Sequence, residues 1–380
     1  MKKTYYFDCA SATPIDPDVA RKMHQLEDAW GNISAQHSQA RLAKKVWDEA
    51  LSAIADILKI KPSEIIITSG GTESNNSAIH GVMQADEHAQ MLYLAIEHPS
   101  IGEKAQQYNS REVKVDKKGV LDLADLKKKI NDNIKLISVM QVNNEIGTIQ
   151  PVQDVAQAVK EIKIDRQNRG VNLPLYLHTD SCQATNYVSV LPHRLGVDMM
   201  SINSGKIYGP KGVGMLYVSS KIKEFTPLLV GGGQQSGRRS GTEDAVGAYG
   251  FALALKKATQ GTKLEEKRVS GLRDRLIKAL KNEFPEVVIN GSLSRRIANN
   301  VNVSFPGHDN ETLMLQLDEL GISVATGSAC SASSEEPSHV LGAIGASETV
   351  MNSALRITLG RQTDDQSINF LIKSLKSIIK

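Results

Sequence analysis

The chain has 380 residues, 41% hydrophobic and 23% charged, with 29 Gly and 12 Pro, which excludes collagen-like or wholly disordered chains and suits a large domain plus a smaller one. A formal charge of +3 gives no excess of cations to displace counterions, so direct nucleic-acid binding and membrane binding are not expected. Three cysteines, Cys9, Cys182 and Cys330, lie too far apart in sequence for a disulfide framework and point to a reducing compartment, the cytoplasm by default.

The N-terminal residues lack an apolar run of signal-peptide length and no later run has membrane-span length, so the whole chain reads as mature protein. From about residue 64, short apolar runs alternate with amphipathic stretches, the pattern of helices covering a mostly parallel sheet. The runs predict strands over residues 64–68, 91–96, 135–140, 173–178, 197–202 and 213–218. Polar residues crowd the far ends of most of them: Ser69 to Thr72, Glu97 and His98, Asn143 and Asn144, Asp180, and Asn203 to Lys206. Because ligands of open α/β sheets bind beyond the carboxyl ends of strands, these residues are candidates to share one crevice. A charged helical stretch follows between residues 256 and 282 and looks like the entry to a second domain. After it come a half-buried strand over 301–305, a helix over 311–320 and an amphipathic terminal helix over 366–380.

Residues 69–76 follow a strand and open a helix, which presents unpaired backbone N–H groups and hydroxyls to an anion such as phosphate. A tight turn with a Thr cap would look the same in isolation. Gly209 to Gly214 lacks the order of a phosphate-binding P-loop, and neither H-E-x-x-H nor C-x-x-C occurs, so no metal site is expected. The order of ionisable groups says more: His98, Asp180 and Lys206 stand at successive strand ends. A lysine, an acid and a phosphate-binding turn are what a pyridoxal 5'-phosphate (PLP) site requires, since the lysine forms the Schiff base and the carboxylate keeps the pyridinium nitrogen protonated. Any one of these residues alone would ordinarily be a cap or a solvated cation; their joint occurrence favours the cofactor.

With the segments 7–14, 31–32, 68–76, 97–100, 142–147, 178–183, 206–212, 239–242, 326–333 and 355–356, taken in order, the chain resembles the cysteine desulfurases, the NifS/IscS-like group of class V aminotransferase-related PLP enzymes. The resemblance implies an α/β chain of the PLP-dependent transferase fold type I, a large domain with a mostly parallel seven-stranded sheet and a smaller α/β C-terminal domain. Residues 1–15 would associate with the small domain, 16–257 form the large PLP-binding domain, and 258–380 form the small domain with the catalytic cysteine loop at about 325–337. By the same resemblance Lys206 is the Schiff-base lysine, Asp180 the pyridinium partner, Gln183 the donor to the ring hydroxyl, and His98 the stacking residue and acid/base. Gly71 and Thr72 would hold the phosphate, Asn203 and Ser204 would assist, and Asn144 would sit beside the reacting centre. Arg356 would bind the substrate carboxylate with Asn32 nearby, and Thr242 would reach the cofactor of the other subunit of a homodimer.

Cys330 lies in a run of small and polar residues, unlike the bulky apolar surroundings of a packing cysteine, and its neighbours suit an exposed, travelling sulfur carrier. Cys9 and Cys182 read as packing residues. The implied reaction removes sulfur from L-cysteine, gives L-alanine and leaves a persulfide on Cys330 for an acceptor protein in iron–sulfur cluster assembly or tRNA thiolation. Selenocysteine lysis, amino transfer on the same scaffold and a drifted, non-catalytic interaction protein are the alternatives. Many members carry Ser-Gly-His before the lysine; this chain has Asn203, Ser204 and Gly205, which predicts a weaker hold on the cofactor phosphate.

Overall fold

The structure, a computed structural model, describes residues 4–327 and 337–379. The first strand, β1 (Tyr5–Tyr6), is followed by seven that form the main sheet: β2 (Ile65–Thr68), β3 (Gln90–Leu94), β4 (Asn109–Val113), β5 (Ile134–Ser138), β6 (Tyr176–Asp180), β7 (Met199–Asn203) and β8 (Gly214–Val218). Their order is β2-β8-β7-β6-β5-β3-β4, and only β8 runs against its neighbours. The parallel strands therefore all end on one side, where the polar residues predicted for a common crevice are gathered.

Five of the six predicted strands of this sheet coincide closely with β2, β3, β5, β7 and β8. The sixth is displaced: pairing begins at Tyr176, beyond Pro174, whose nitrogen has no proton to donate, and Asp180 becomes the last strand residue. The polar edge strand β4 has no apolar run to announce it, because only Val113 of its residues is buried. Elsewhere in the sheet both faces are covered; β5 and β8 are buried throughout, which is why these strands read as continuous apolar runs.

The C-terminal part contributes β9 (Val288–Ile289), β10 (Asn300–Ser304), β11 (Ile322–Ser323) and β12 (Ala354–Thr358). The antiparallel order β12-β10-β9 forms a second sheet, while β11 pairs in parallel with β1. The N-terminal segment thus returns to the C-terminal part, and an isolated bridge from Asp8 to Thr358 extends this junction. Helix Thr262–Glu283 packs on helix Asp365–Ile378, whose Ile368, Leu371 and Leu375 recur at helical spacing and are buried. Among the described residues no helix is long and apolar enough to cross a membrane.

Candidate active site

A cleft of about 730 Å³, including its open mouth, lies at the carboxyl ends of the parallel strands. It is lined by nine of the residues singled out from sequence: Gly71, Thr72, His98, Asn144, Asp180, Gln183, Asn203, Lys206 and Arg356.

The turn after β2 shows how one wall is built. Gly70 has φ +152°, a conformation that side chains disfavour, and it reverses the chain into helix Gly71–Met83. At Gly71 a Cβ would lie 2.9 Å from Cys182 Sγ, so only glycine permits that approach. The first-turn N–H groups of this helix have no helical carbonyl to bind, and Thr72 is exposed beside them. Across the turn Asn203 accepts the Gly205 N–H through Oδ1 at 2.9 Å, while its Nδ2 would stand 3.5 Å from a Cβ on Gly71. A backbone-amide wall with a carboxamide opposite it is an anion cradle.

Asp180 is 7% exposed, and its carboxylate is oriented by two donors: Asn75 Nδ2 at 2.7 Å and the Cys182 N–H at 2.8 Å. Asn75 also donates to Ser100 Oγ at 2.9 Å. His98 caps helix Pro99–Ala105; its Nδ1 accepts the Ser100 N–H at 3.1 Å. Since a backbone N–H can only donate, this bond places the neutral ring's proton on Nε2. Burial lowers the His98 pKa, and the charge of Lys206 acts in the same sense against the opposing pull of Asp180. Beneath them, burial and the neighbouring Asp180 push Glu97 well above the usual carboxyl range; its Oε1 accepts the Met140 N–H at 2.6 Å.

The N-terminal segment closes the other side. Lys206 Nζ donates to the Ser11 carbonyl, and Gln183 Nε2 donates to the Ala10 carbonyl at 2.9 Å. Arg356, 1% exposed on β12, donates through Nη2 to Asp8 Oδ1 at 2.9 Å and Ser11 Oγ at 2.6 Å, and through Nη1 to the Asn144 carbonyl at 3.4 Å. Among the described residues, Arg356 Nε and Asn144 Oδ1 are buried without a partner. Buried polar atoms are nearly always satisfied, so these two mark where a polar ligand fits.

Three expected residues do not line the cleft. Ser204 is fully buried, turned inward by the 3-10 turn Ser204–Lys206, with its hydroxyl where a Cβ on Gly209 would meet it at 2.1 Å. Asn32 is exposed and uses Oδ1 to accept the Ser34 N–H at 2.9 Å. Thr242 is exposed and away from the cleft of its own chain. Cys330 lies outside the described residues. The other two cysteines are poor thiolates: burial pushes Cys9 to about 11, and burial with the adjacent Asp180 holds Cys182 well above its ordinary value. Sequence reasoning assigned no role to Asn75, Ser100, Ser11 or Asp8. Asn75 carried a signal, since it stands one helical turn after Gly71 on the same face; Asp8 and Ser11 lie in the matched segment 7–14, which marked them for the family but for no task.

An α/β sheet whose strand ends converge on a lysine, a carboxylate and an anion cradle defines a class of cofactor-assisted enzymes. A family model for class-V aminotransferases matches residues 5–371. The cysteine desulfurase IscS of Dictyoglomus turgidum is 38% identical over all of this chain and 95% of that protein. A solved structure of a NifS-like protein has 30% identity, covers 99% of each chain and gives a TM-score of 0.90. A structure of SspA in complex with cysteine has 30% identity, covers 94% of this chain and 99% of its own, and gives a TM-score of 0.79. The chain belongs to the class-V aminotransferase family and, within it, to the cysteine desulfurases.

Proposed function

We propose that this chain is a PLP-dependent cysteine desulfurase that converts L-cysteine to L-alanine and leaves the sulfur as a persulfide on Cys330. The observation that carries the reading is the convergence of Lys206, Asp180, His98 and Arg356 on one cleft that also holds an anion cradle and buried polar atoms left unpartnered among the described residues. The residues fit the cofactor. Asp180 would meet its ring nitrogen, Lys206 its aldehyde carbon, Gln183 its ring hydroxyl, and Gly71, Thr72 and Asn203 its phosphate. When bound, PLP supplies an electron-withdrawing ring that stabilises negative charge at the substrate carbons.

The chain's own groups do the rest. Arg356 holds the substrate carboxylate and so fixes the direction of the Cα–H bond. Its guanidinium offers five donors, of which three are engaged by Asp8, Ser11 and Asn144. His98, kept neutral by burial, and the Lys206 amine are placed to carry protons. The Cys330 thiolate attacks the substrate sulfur: an S–S bond forms as the C–S bond breaks, and the electron pair left on carbon takes a proton to become the methyl group of alanine.

A homodimer completes the proposal, with the exposed Thr242 reaching the other subunit's cofactor phosphate. The sulfur then passes to an acceptor protein, an iron–sulfur scaffold or a tRNA-thiolating enzyme, in the cytoplasm. The test is Cys330→Ala: cofactor binding, read from its visible absorption, persists while alanine release from cysteine is lost. Continued turnover would refute the assignment, and rapid amino exchange with a 2-oxo acid would favour an aminotransferase instead.

A further inference from the structure

The proposed sulfur carrier lies between two described flanks, ending at Gly327 and resuming at Pro337. Cys330 is three residues beyond Gly327, and three residues of extended chain span at most about 11 Å. Whatever holds Gly327 therefore bounds where the thiol can act.

One flank bonds a buried carboxylate and the other passes beside it. Glu145 is 1% exposed and directly follows the cleft residue Asn144. Ser338 Oγ donates to Glu145 Oε2 at 2.5 Å and accepts the Leu341 N–H at 3.1 Å, capping helix His339–Ala343. On the other flank, a Cβ on Gly327 would lie 3.8 Å from that same Oε2. Glu145 is itself fixed: its N–H donates to Asn143 Oδ1 at 2.9 Å, and its carbonyl accepts from Asn300 and Asn302 Nδ2 at 2.9 and 3.3 Å.

Two further bonds tie the flanks to site residues. Ala325 exchanges both backbone hydrogen bonds with Arg356, and His339 Nε2 lies 2.9 Å from the carbonyl of Glu97, the residue before His98. The flanks are thus referenced to the chain segments that supply Asn144, Arg356 and His98.

We propose that Glu145 is a positioning residue for sulfur transfer: its carboxylate, standing beside Gly327, clasps Ser338 and so sets the C-terminal anchor point of the Cys330 segment beside the cleft. The role in turnover rests on the desulfurase reading; the clasp itself does not. A hydrogen bond to a buried carboxylate is stronger than one to a neutral amide, and a misplaced reacting group loses rate steeply.

The experiment compares Glu145→Gln, Ser338→Ala and Ser338→Thr with the unaltered PLP-loaded protein. Amide hydrogen exchange at Leu341 should rise about tenfold in Glu145→Gln and Ser338→Ala, and stay near the original rate in Ser338→Thr, which keeps the hydroxyl. Alanine kcat should fall about tenfold in the first two while the cysteine KM changes less than about threefold. Unchanged exchange in both would overturn the clasp. Raised exchange with unchanged kcat would overturn the positioning role. An unaltered protein that releases no alanine would overturn the desulfurase reading, and the positioning role with it, and the exchange rates would then judge the contact alone. Ser338→Ala, on a half-buried residue, keeps the test open if Glu145→Gln fails to fold.

Discussion

Replacing Arg356 by Lys separates the structural from the substrate-binding duty of this side chain. The guanidinium already spends three of its donors on Asp8, Ser11 and the Asn144 carbonyl, and its Nε–H has no partner among the described residues. A lysine ammonium has three donors in all, enough to keep those contacts but with none left for a substrate carboxylate. A charge-assisted hydrogen bond contributes about 1.5–3 kcal/mol, and each 1.4 kcal/mol is tenfold, so the cysteine KM should rise about 10- to 150-fold. Stability should change little, because the ion pair with Asp8 survives. Arg356→Ala should instead destabilise the protein by about 3 kcal/mol, since it strands Asp8, whose side chain is only 18% exposed. Steady-state alanine release gives KM and urea unfolding gives stability. A lysine variant with a KM within about threefold of the original would refute the donor count.

Asn75→Ala removes one of the two donors that orient Asp180, and PLP affinity by spectroscopic titration should weaken about tenfold; a dissociation constant within about twofold would count against that role. His178 is fully buried between Ser138 Oγ and Ser201 Oγ at 2.9 and 3.0 Å, and burial depresses its pKa from 6.5 to about 4. The unfolded chain binds this proton below about pH 6.5 while the folded one refuses it down to about pH 4, so stability present above pH 6.5 is lost as pH falls. Between pH 8 and 5 the loss is about 2 kcal/mol, which urea midpoints should show in the original protein and not in His178→Asn. Gly205→His should slow PLP release, since a Cβ there meets only ordinary contacts, Asn203 Oδ1 at 3.5 Å and Lys211 Cγ at 3.7 Å; unchanged release kinetics would end the idea that Gly205 weakens cofactor retention.

How much of the site was legible depended on where each residue sits in the chain. His98, Asp180 and Lys206 follow or end apolar strands, and parallel strands that share a direction must deliver their ends to one edge. Ser204 shows the limit of that logic: it neighbours Lys206, yet one 3-10 turn directs it inward and the lysine outward. Asn203, Gly71 and Thr72 could be placed together because a strand–turn–helix unit fixes its own geometry locally. Arg356 was found only through family resemblance, since no periodic pattern marks β12 as a strand end aimed at a distant sheet.

The amino-acid order alone determined the class of the fold, six of the seven strands of the main sheet and the ionisable groups at their ends, because burial on both faces writes an apolar run and chain direction does the rest. Tertiary structure decided the company those groups keep. Asp8 and Ser11 reach Arg356 across most of the chain, and Glu145 meets Ser338 across about half of it. Such contacts arise when separately formed layers pack, and the side chains that make them are too few and too polar to leave a repeat in the sequence.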